Sequence, residues 1–283
     1  MAPGTAAPPR TPPRRAPQNH QPARRPAPKP GVSFGTVRPS SGHRVVLYGP
    51  GGIGKTTLAS MAPGPLAFFD LDDSLAVLAG QFPEGLDLRP VAEASRWEGI
   101  RDALHADGWD EIRTIVIDSA TKAEEICLRW VFDHIKTDKG QKAERMEDYS
   151  YGKGYTHLYD TFLLLLGDLD QHVRAGRNVV LICHDCTSTV PNPRGEDWMR
   201  YEPRLQSPSS GKASIRLRVR EWADHVLFFG YDIDVAEGVG RSQGSRTVYT
   251  TEQPYCMAKS RTLDAEIQIA KHDGDLWAQL LGA

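Results

Sequence analysis

The chain has 283 residues, 40% of them hydrophobic, with 34 Lys and Arg against 36 Asp and Glu. That length and composition support one large α/β domain with a tail, and no apolar run approaches the roughly 20 residues that cross a bilayer. Four scattered cysteines (Cys127, Cys183, Cys186 and Cys256) exclude a disulfide scaffold, so a reducing cytosol is expected.

The net charge of −2 hides an asymmetry, because residues 1–69 hold nine Lys or Arg and no acid, leaving −11 on the remainder. Residues 1–40 are rich in Pro, Arg and Ala and read as a disordered basic tail. It suits either an arm for a polyanion or a solubilising linker. The start has arginines but no apolar segment behind them, so it does not read as a secretory signal.

From about Ser41 the pattern alternates strand and helix. Arg44 to Tyr48 is a β-rich run, Thr56 to Met61 reads as a helix cut off by Pro63-Gly64-Pro65, and Leu66 to Phe69 is a second strand. Trp97 to Ala106 has helical spacing, Thr114 to Ile117 is a third strand, and Ala123 to Ile135 is a helix. Lys136 to Tyr155 is polar and reads as a loop; a long amphipathic helix over Tyr155 to Ala175 leads to a fourth strand, Asn178 to Cys183. Residues 185–214 look like a long mobile loop, and from Val226 onward the runs VLFFGYDIDV, RTVYT, YCMAK and AEIQIA alternate as strands. The fold expected for residues 41–283 is therefore α/β, a mainly parallel sheet flanked by helices with antiparallel strands at the C-terminal end.

Between the first strand and its helix stands GPGGIGKTT, Gly49, Pro50, Gly51, Gly52, Ile53, Gly54, Lys55, Thr56 and Thr57, a complete phosphate loop in strand-to-helix context. Glycines let consecutive backbone N–H groups surround phosphates, Lys55 reaches the β- and γ-phosphates, and Thr56 holds Mg²⁺. The ligand expected is a nucleoside triphosphate, ATP. Such a loop needs a metal-holding carboxylate at the end of a neighbouring strand, and TIVID supplies Asp118, acting on Mg²⁺ through water.

A second acid, Asp72 in LAFFDLDD, is the candidate to orient the attacking water. It shares a face with Asp70; Asp73 is the runner-up, and capping of the following helix by these acids is the structural alternative. His184, at the end of the fourth strand, stands level with the phosphates and is the candidate γ-phosphate sensor. Cys183-His184-Asp185-Cys186 has C-x-x-C spacing, but no second ligand pair stands at zinc-finger distance.

Residues 185–222 carry Arg194, Arg200, Arg204, Lys212, Arg216, Arg218 and Arg220 with Trp198 and Tyr201 among them. Cations beside stacking surfaces fit single-stranded nucleic acid. Lys136, Lys139, Lys142 and Lys153 form a lesser set, and the alternation of Arg216, Arg218 and Arg220 also reads as a protected edge strand.

Taken together, GPGGIGKTT, LAFFDLDDSL, TIVIDSAT, the YGKGY helix, NVVLICH and Lys259-Ser260-Arg261 before AEIQI resemble the RecA core across residues 44–270. The resemblance is closer still to the Sak-type single-strand annealing ATPases of phages and their AAA-labelled relatives. Ser119 after Asp118 departs from AAA+ and helicase-type ATPases, which place Glu there. The resemblance implies a water-activating acid at Asp72, where the family has Glu, and loops that touch single-stranded DNA. It also implies that Lys259 and Arg261 reach the ATP of the next subunit in a filament or ring. Recombination, annealing or repair on single-stranded DNA in a bacterial host cell, beside a single-strand binding protein, is the role implied, with annealing favoured over strand exchange since the flanking DNA-handling domains of full RecA are missing. GPGGIGKTTLA also resembles the phosphate loop of NB-ARC switches, and a small-molecule kinase would use the basic loops as a lid.

Overall fold

Runs such as RVVLYG, LAFFD and TIVID are apolar on both faces of an extended chain, so strands built from them must be covered on both sides. The computed structural model describes residues 4, 32–36, 42–209, 211–236, 239–270 and 274–281, and its elements lie within one compact unit, Pro39–Ala283. Apart from residues 4 and 32–36, the predicted basic tail lies outside the described residues.

In chain order the strands are β1 (Arg44–Gly49), β2 (Leu66–Asp70), β3 (Leu88–Pro90), β4 (Thr114–Asp118), β5 (Asn178–Val190), β6 (Trp198–Pro203), β7 (His225–Ala236), β8 (Val239–Tyr249) and β9 (Glu266–Gln268). The helices are α1 (Lys55–Ser60), α2 (Leu75–Leu78), α3 (Trp97–His105), α4 (Ala120–His134), α5 (Lys153–Arg174), α6 (Ile215–Trp222) and α7 (Asp275–Leu281). The sheet order is β3-β2-β4-β5-β1-β7-β8-β9, with β6 paired to β5 outside that path. The six strands from β3 to β7 run parallel; β8 and β9 add antiparallel pairs. This is the mainly parallel sheet, with antiparallel strands at its C-terminal end, that the sequence predicts.

Alternation along the strands divides the core between two faces. Val46, Tyr48, Ile115, Ile117 and Leu181 pack with α3, α4, α5 and α6. Val45, Leu47, Val116, Val180 and Ile182 pack with α1, α2 and α7. Helix α7 buttresses the phosphate-loop helix directly, because the buried Trp277 donates its indole N–H to the Leu58 carbonyl at 2.7 Å.

Several expectations are corrected. Residues 185–214 are not one continuous loop: β5 continues to Val190 and pairs antiparallel with β6, from Asp185 against Pro203 to Val190 against Trp198. The period-two reading stopped β5 at Cys183 because the apolar run ends there, while the ladder continues through exposed Thr187 and half-buried Ser188. Arg216, Arg218 and Arg220 do not lie on a strand but in α6, which Ser214 caps by accepting from the Leu217 N–H. YCMAK forms only isolated bridges, Cys256 to Tyr201 and Lys259 to Val226 among them. Strand β3 and helix α7 went unforeseen; their short, mixed sequences carry little periodicity.

Candidate nucleotide-binding site

The phosphate loop leaves β1 at the C-terminal end of the parallel strands, and strand register gathers the other candidates there. Gly49 lies opposite His184 on β5, Asp70 opposite Asp118, and Asp118 opposite Ile182. Strands β1 and β4 are not neighbours, since β5 lies between them. His184 therefore sits between the phosphate loop and Asp118 in the plane of the sheet.

Gly49 is required by close approach, because a Cβ there would lie 2.0 Å from the Phe229 carbonyl oxygen. Gly54, at φ +105°, takes a left-handed conformation that side chains resist. Lys55 is buried and donates its Nζ to the carbonyls of Gly49 at 2.7 Å and Pro50 at 2.9 Å. Burial lowers its pKa, against the pull of Asp185 and Asp118. Its charge is met by neutral acceptors, an arrangement that favours an arriving anion.

Thr56 donates to Asp118 Oδ2 at 2.6 Å, and Ser74 donates to the same oxygen at 3.2 Å. Asp118 is 4% exposed; burial pushes its pKa up to about 6, and the nearby charges of Asp72 and Asp70 add to the rise. A divalent cation would relieve that crowding. Among the described residues no group of three or more His, Cys, Asp or Glu is placed to hold a metal alone. The donor set of one hydroxyl and one carboxylate fits Mg²⁺ completed by phosphate oxygens and water.

The two acids of the β2 exit part company: Asp70 ends the strand and Asp72 lies in the turn that follows. Asp70 accepts from the backbone N–H groups of Ser74 at 2.8 Å and Leu75 at 3.0 Å, fixing the start of α2. Asp72 instead faces the cavity, with Oδ2 3.6 Å from His184 Nε2. The pKa of His184 is lowered by burial and by the positive charges of Lys55 and Arg204, which favours the neutral ring. Its backbone N–H donates to Thr121 Oγ1 at 3.1 Å, and its carbonyl accepts from the Arg204 N–H at 2.8 Å. Asp72, Asp118, His184, Lys55 and Thr56 all line one cavity of about 1160 Å³.

Residues 41–262 match the AAA domain family. The chain belongs to that family. None of the curated proteins matches. Among solved structures, this AAA-domain chain is similar to a KaiC-like protein of the hyperthermophilic archaeon Pyrococcus horikoshii OT3, at 15% identity and TM-score 0.42, with 81% of this chain and 86% of that one covered. It is also similar to the flagellar accessory protein FlaH of Methanocaldococcus jannaschii, at 10% identity and TM-score 0.32, with 75% and 78% covered.

The remaining candidates of the AAA-domain chain are dispersed. Arg200 pairs with Glu202 at 2.8 Å and with Glu252, and Arg216 binds Glu202 and donates to the Leu205 carbonyl at 3.2 Å. Arg220 pairs with Glu252 at 2.7 Å. These guanidinium groups hold the hairpin against α6 and the 250s segment. They are committed to internal acids, contrary to the expectation that they face a polyanion. Arg194, Arg204, Lys212 and Arg218 are exposed, as are Trp198, Met199, Tyr201 and Tyr255.

Lys259 also departs from expectation. Its Nζ donates to the carbonyls of Arg220 at 2.9 Å and Ala223 at 2.6 Å, the C-terminal end of α6, where a cation satisfies otherwise unpaired carbonyls. Arg261 is exposed and lies 3.2 Å from Asp224. Both stand near His225, which pairs with Val45 at the start of β1, so they occupy the end of the sheet away from this chain's own phosphate loop. Ser74 and Arg246 were missed. A serine after an acid cluster and one arginine in a β-branched run carry no motif. No described helix is long and apolar enough to cross a membrane.

Proposed function

We propose that the chain binds and hydrolyses ATP and, as a RecA-like protein of the phage single-strand annealing type, couples hydrolysis to its grip on single-stranded DNA. The observation that carries the reading is the course of β5. One strand runs from His184, beside the phosphate loop, straight into a hairpin whose outer residues include exposed Trp198, Met199 and Tyr201.

Lys55 exchanges its carbonyl partners for phosphate oxygens, and the loop N–H groups hold the rest of the polyphosphate. Thr56 and Asp118 would hold Mg²⁺, which would supply neutralisation of charge on the phosphates. Asp72 orients a water whose oxygen attacks the γ-phosphorus as the bond to the β,γ-bridging oxygen breaks; the water proton passes to Asp72, and ADP and phosphate leave. His184 senses the γ-phosphate through its contact with Asp72. Its backbone bonds to Thr121 and Arg204 carry a shift to α4 and to the segment ahead of α6. The exposed aromatics and Arg194, Arg204, Lys212 and Arg218 supply stacking and phosphate contacts. Arg261, exposed and remote from its own cavity, would exchange its contact with Asp224 for a neighbouring copy's nucleotide in a ring or filament.

The test is ATP turnover measured with and without a single-stranded oligonucleotide, at two salt concentrations. Stimulation that weakens with salt is expected. Turnover that ignores DNA, with no DNA binding, would overturn the DNA part and favour a P-loop ATPase or nucleotide-gated switch acting elsewhere.

A further inference from the structure

We infer that Arg246 is a second cation for the nucleotide polyphosphate, supplied in cis from β8 to the outer side of the phosphate loop; the inference rests on the nucleotide-binding reading above. It is not part of the phosphate-loop motif and lies almost two hundred residues downstream, so only the fold brings it there. Strand β7 passes the end of β1, with Tyr48 opposite Phe228, and β8 returns along it with Arg246 opposite Tyr231.

Three observations fix the side chain. Its guanidinium carbon lies 5.4 Å from the centroid of the buried Phe229 ring. Nη1 donates to the Ile53 carbonyl, inside the phosphate loop, at 2.7 Å. A Cβ at position 54 would lie 2.9 Å from Nη1, so the glycine makes room for the arginine as well as for the turn. Arg246 lines the same cavity as Lys55, Thr56 and Asp118.

The contrast with the other half-buried arginines gives this placement its meaning. Arg44, Arg101, Arg200 and Arg216 each meet a carboxylate. Arg246 meets a carbonyl and an aromatic face, with no carboxylate in ion-pair range among the described residues. A guanidinium has five N–H donors in a planar fork, and one bond to Ile53 leaves donors for phosphate oxygens. A half-buried cation without a counter-ion is costly until an anion arrives, so its position beside the loop favours the ligand-bound state. The ligand chemistry is polyphosphate rather than base or ribose, because the anchoring contact is to the loop itself.

The experiment uses the full chain and two probes, a fluorescent ATP analogue and inorganic tripolyphosphate as its competitor, which has no base. Arg246→Gln is expected to weaken both by a similar factor of about 10 or more, with the melting temperature of the ligand-free protein close to wild type. Arg246→Lys, which keeps the charge and loses the fork, is expected to fall between. Wild-type tripolyphosphate affinity in a folded Arg246→Gln variant would overturn the inference. Mass-spectrometric mapping of phenylglyoxal modification on the wild-type chain decides the matter independently of any variant. Tripolyphosphate should protect Arg246, and equal modification with and without it would overturn the assignment. A wild-type chain that binds neither probe would instead overturn the nucleotide reading itself.

Discussion

The two ends of the central sheet treat charge in opposite ways. At the end where β1 begins, Arg44 binds Asp170 at 2.7 Å and Asp224 at 3.4 Å, Arg261 adds a contact to Asp224, and Lys259 caps α6. His225 is fully buried between His43 and Ser260, at 3.1 and 2.9 Å. At the end where β1 finishes, like charges crowd instead: Asp118 feels Asp72 and Asp70, while Lys55 and Arg246 donate to carbonyls. The first end is complete in itself. The second becomes complete only with a polyanion and a cation, and local conflicts of that sort concentrate where a protein works.

The largest effect that tests the contrast is expected from Asp118→Asn. The amide oxygen still accepts from Thr56 and Ser74, but the charge is gone. ATP turnover should fall by at least about 100-fold. Ligand-free stability should rise by about 2 kcal/mol above pH 6, because the buried carboxylate no longer has to ionise there. Turnover assays and urea unfolding at pH 7.5 check the two arms. A destabilised Asp118→Asn would show that the crowding of acids at this end has been misjudged.

How much of this was legible in the sequence follows from the range of each signal. GPGGIGKTT and TIVID are local patterns whose function is fixed by neighbours within a few residues, and both took their expected places. Asp72 and His184 were singled out by strand-end logic, and the structure places them 3.6 Å apart, Asp72 in the turn just past β2. Asp70 carried the same signal as Asp72 and turned out to cap α2, because β2 ends at Asp70 and the turn that follows takes Asp72 out of strand alternation. Arg200 and Arg216 were misread for a related reason. A basic run looks like a polyanion site until the fold supplies Glu202 and Glu252 from elsewhere. Arg246 was invisible because its meaning depends on β8 folding back beside a loop formed far earlier in the chain.

At the self-complete end, the next effect in size is expected from Lys259→Met. It removes a charged donor from two carbonyls at the end of α6 while keeping the aliphatic stem, and should cost about 1.5–3 kcal/mol in urea unfolding. Arg261→Ala, by contrast, should change stability by less than about 0.5 kcal/mol, since that side chain is exposed. If Arg261 serves a neighbouring copy, its variant should lose turnover while ATP affinity is kept. Full turnover in Arg261→Ala at high protein concentration would remove the interface role and leave this end purely structural.

A further effect, smaller than those of Asp118→Asn and Lys259→Met, compares the two ends through pH. Burial lowers the pKa of His225 to about 4, with His43 adding to the shift, Asp224 opposing it, and Lys259 and Arg261 reinforcing it. Its stabilising contribution is present above the ordinary histidine value near 6.5 and is lost as pH falls toward 4. Asp118 has the opposite sign: its pKa is raised, so its contribution is present below the ordinary aspartate value near 3.9 and is lost as pH rises through about 6. In the wild type the two trends offset each other across that window. His225→Gln should therefore gain on the wild type by about 1–2 kcal/mol between pH 7.5 and pH 5, whatever its constant cost from the lost bonds to His43 and Ser260. Asp118→Asn should lose ground over the same interval, its advantage shrinking as the wild-type carboxyl protonates. Unfolding free energies of the three proteins at both pH values read the two slopes directly. Slopes of the same sign would mean that the ends of the sheet do not differ in the way their contacts imply.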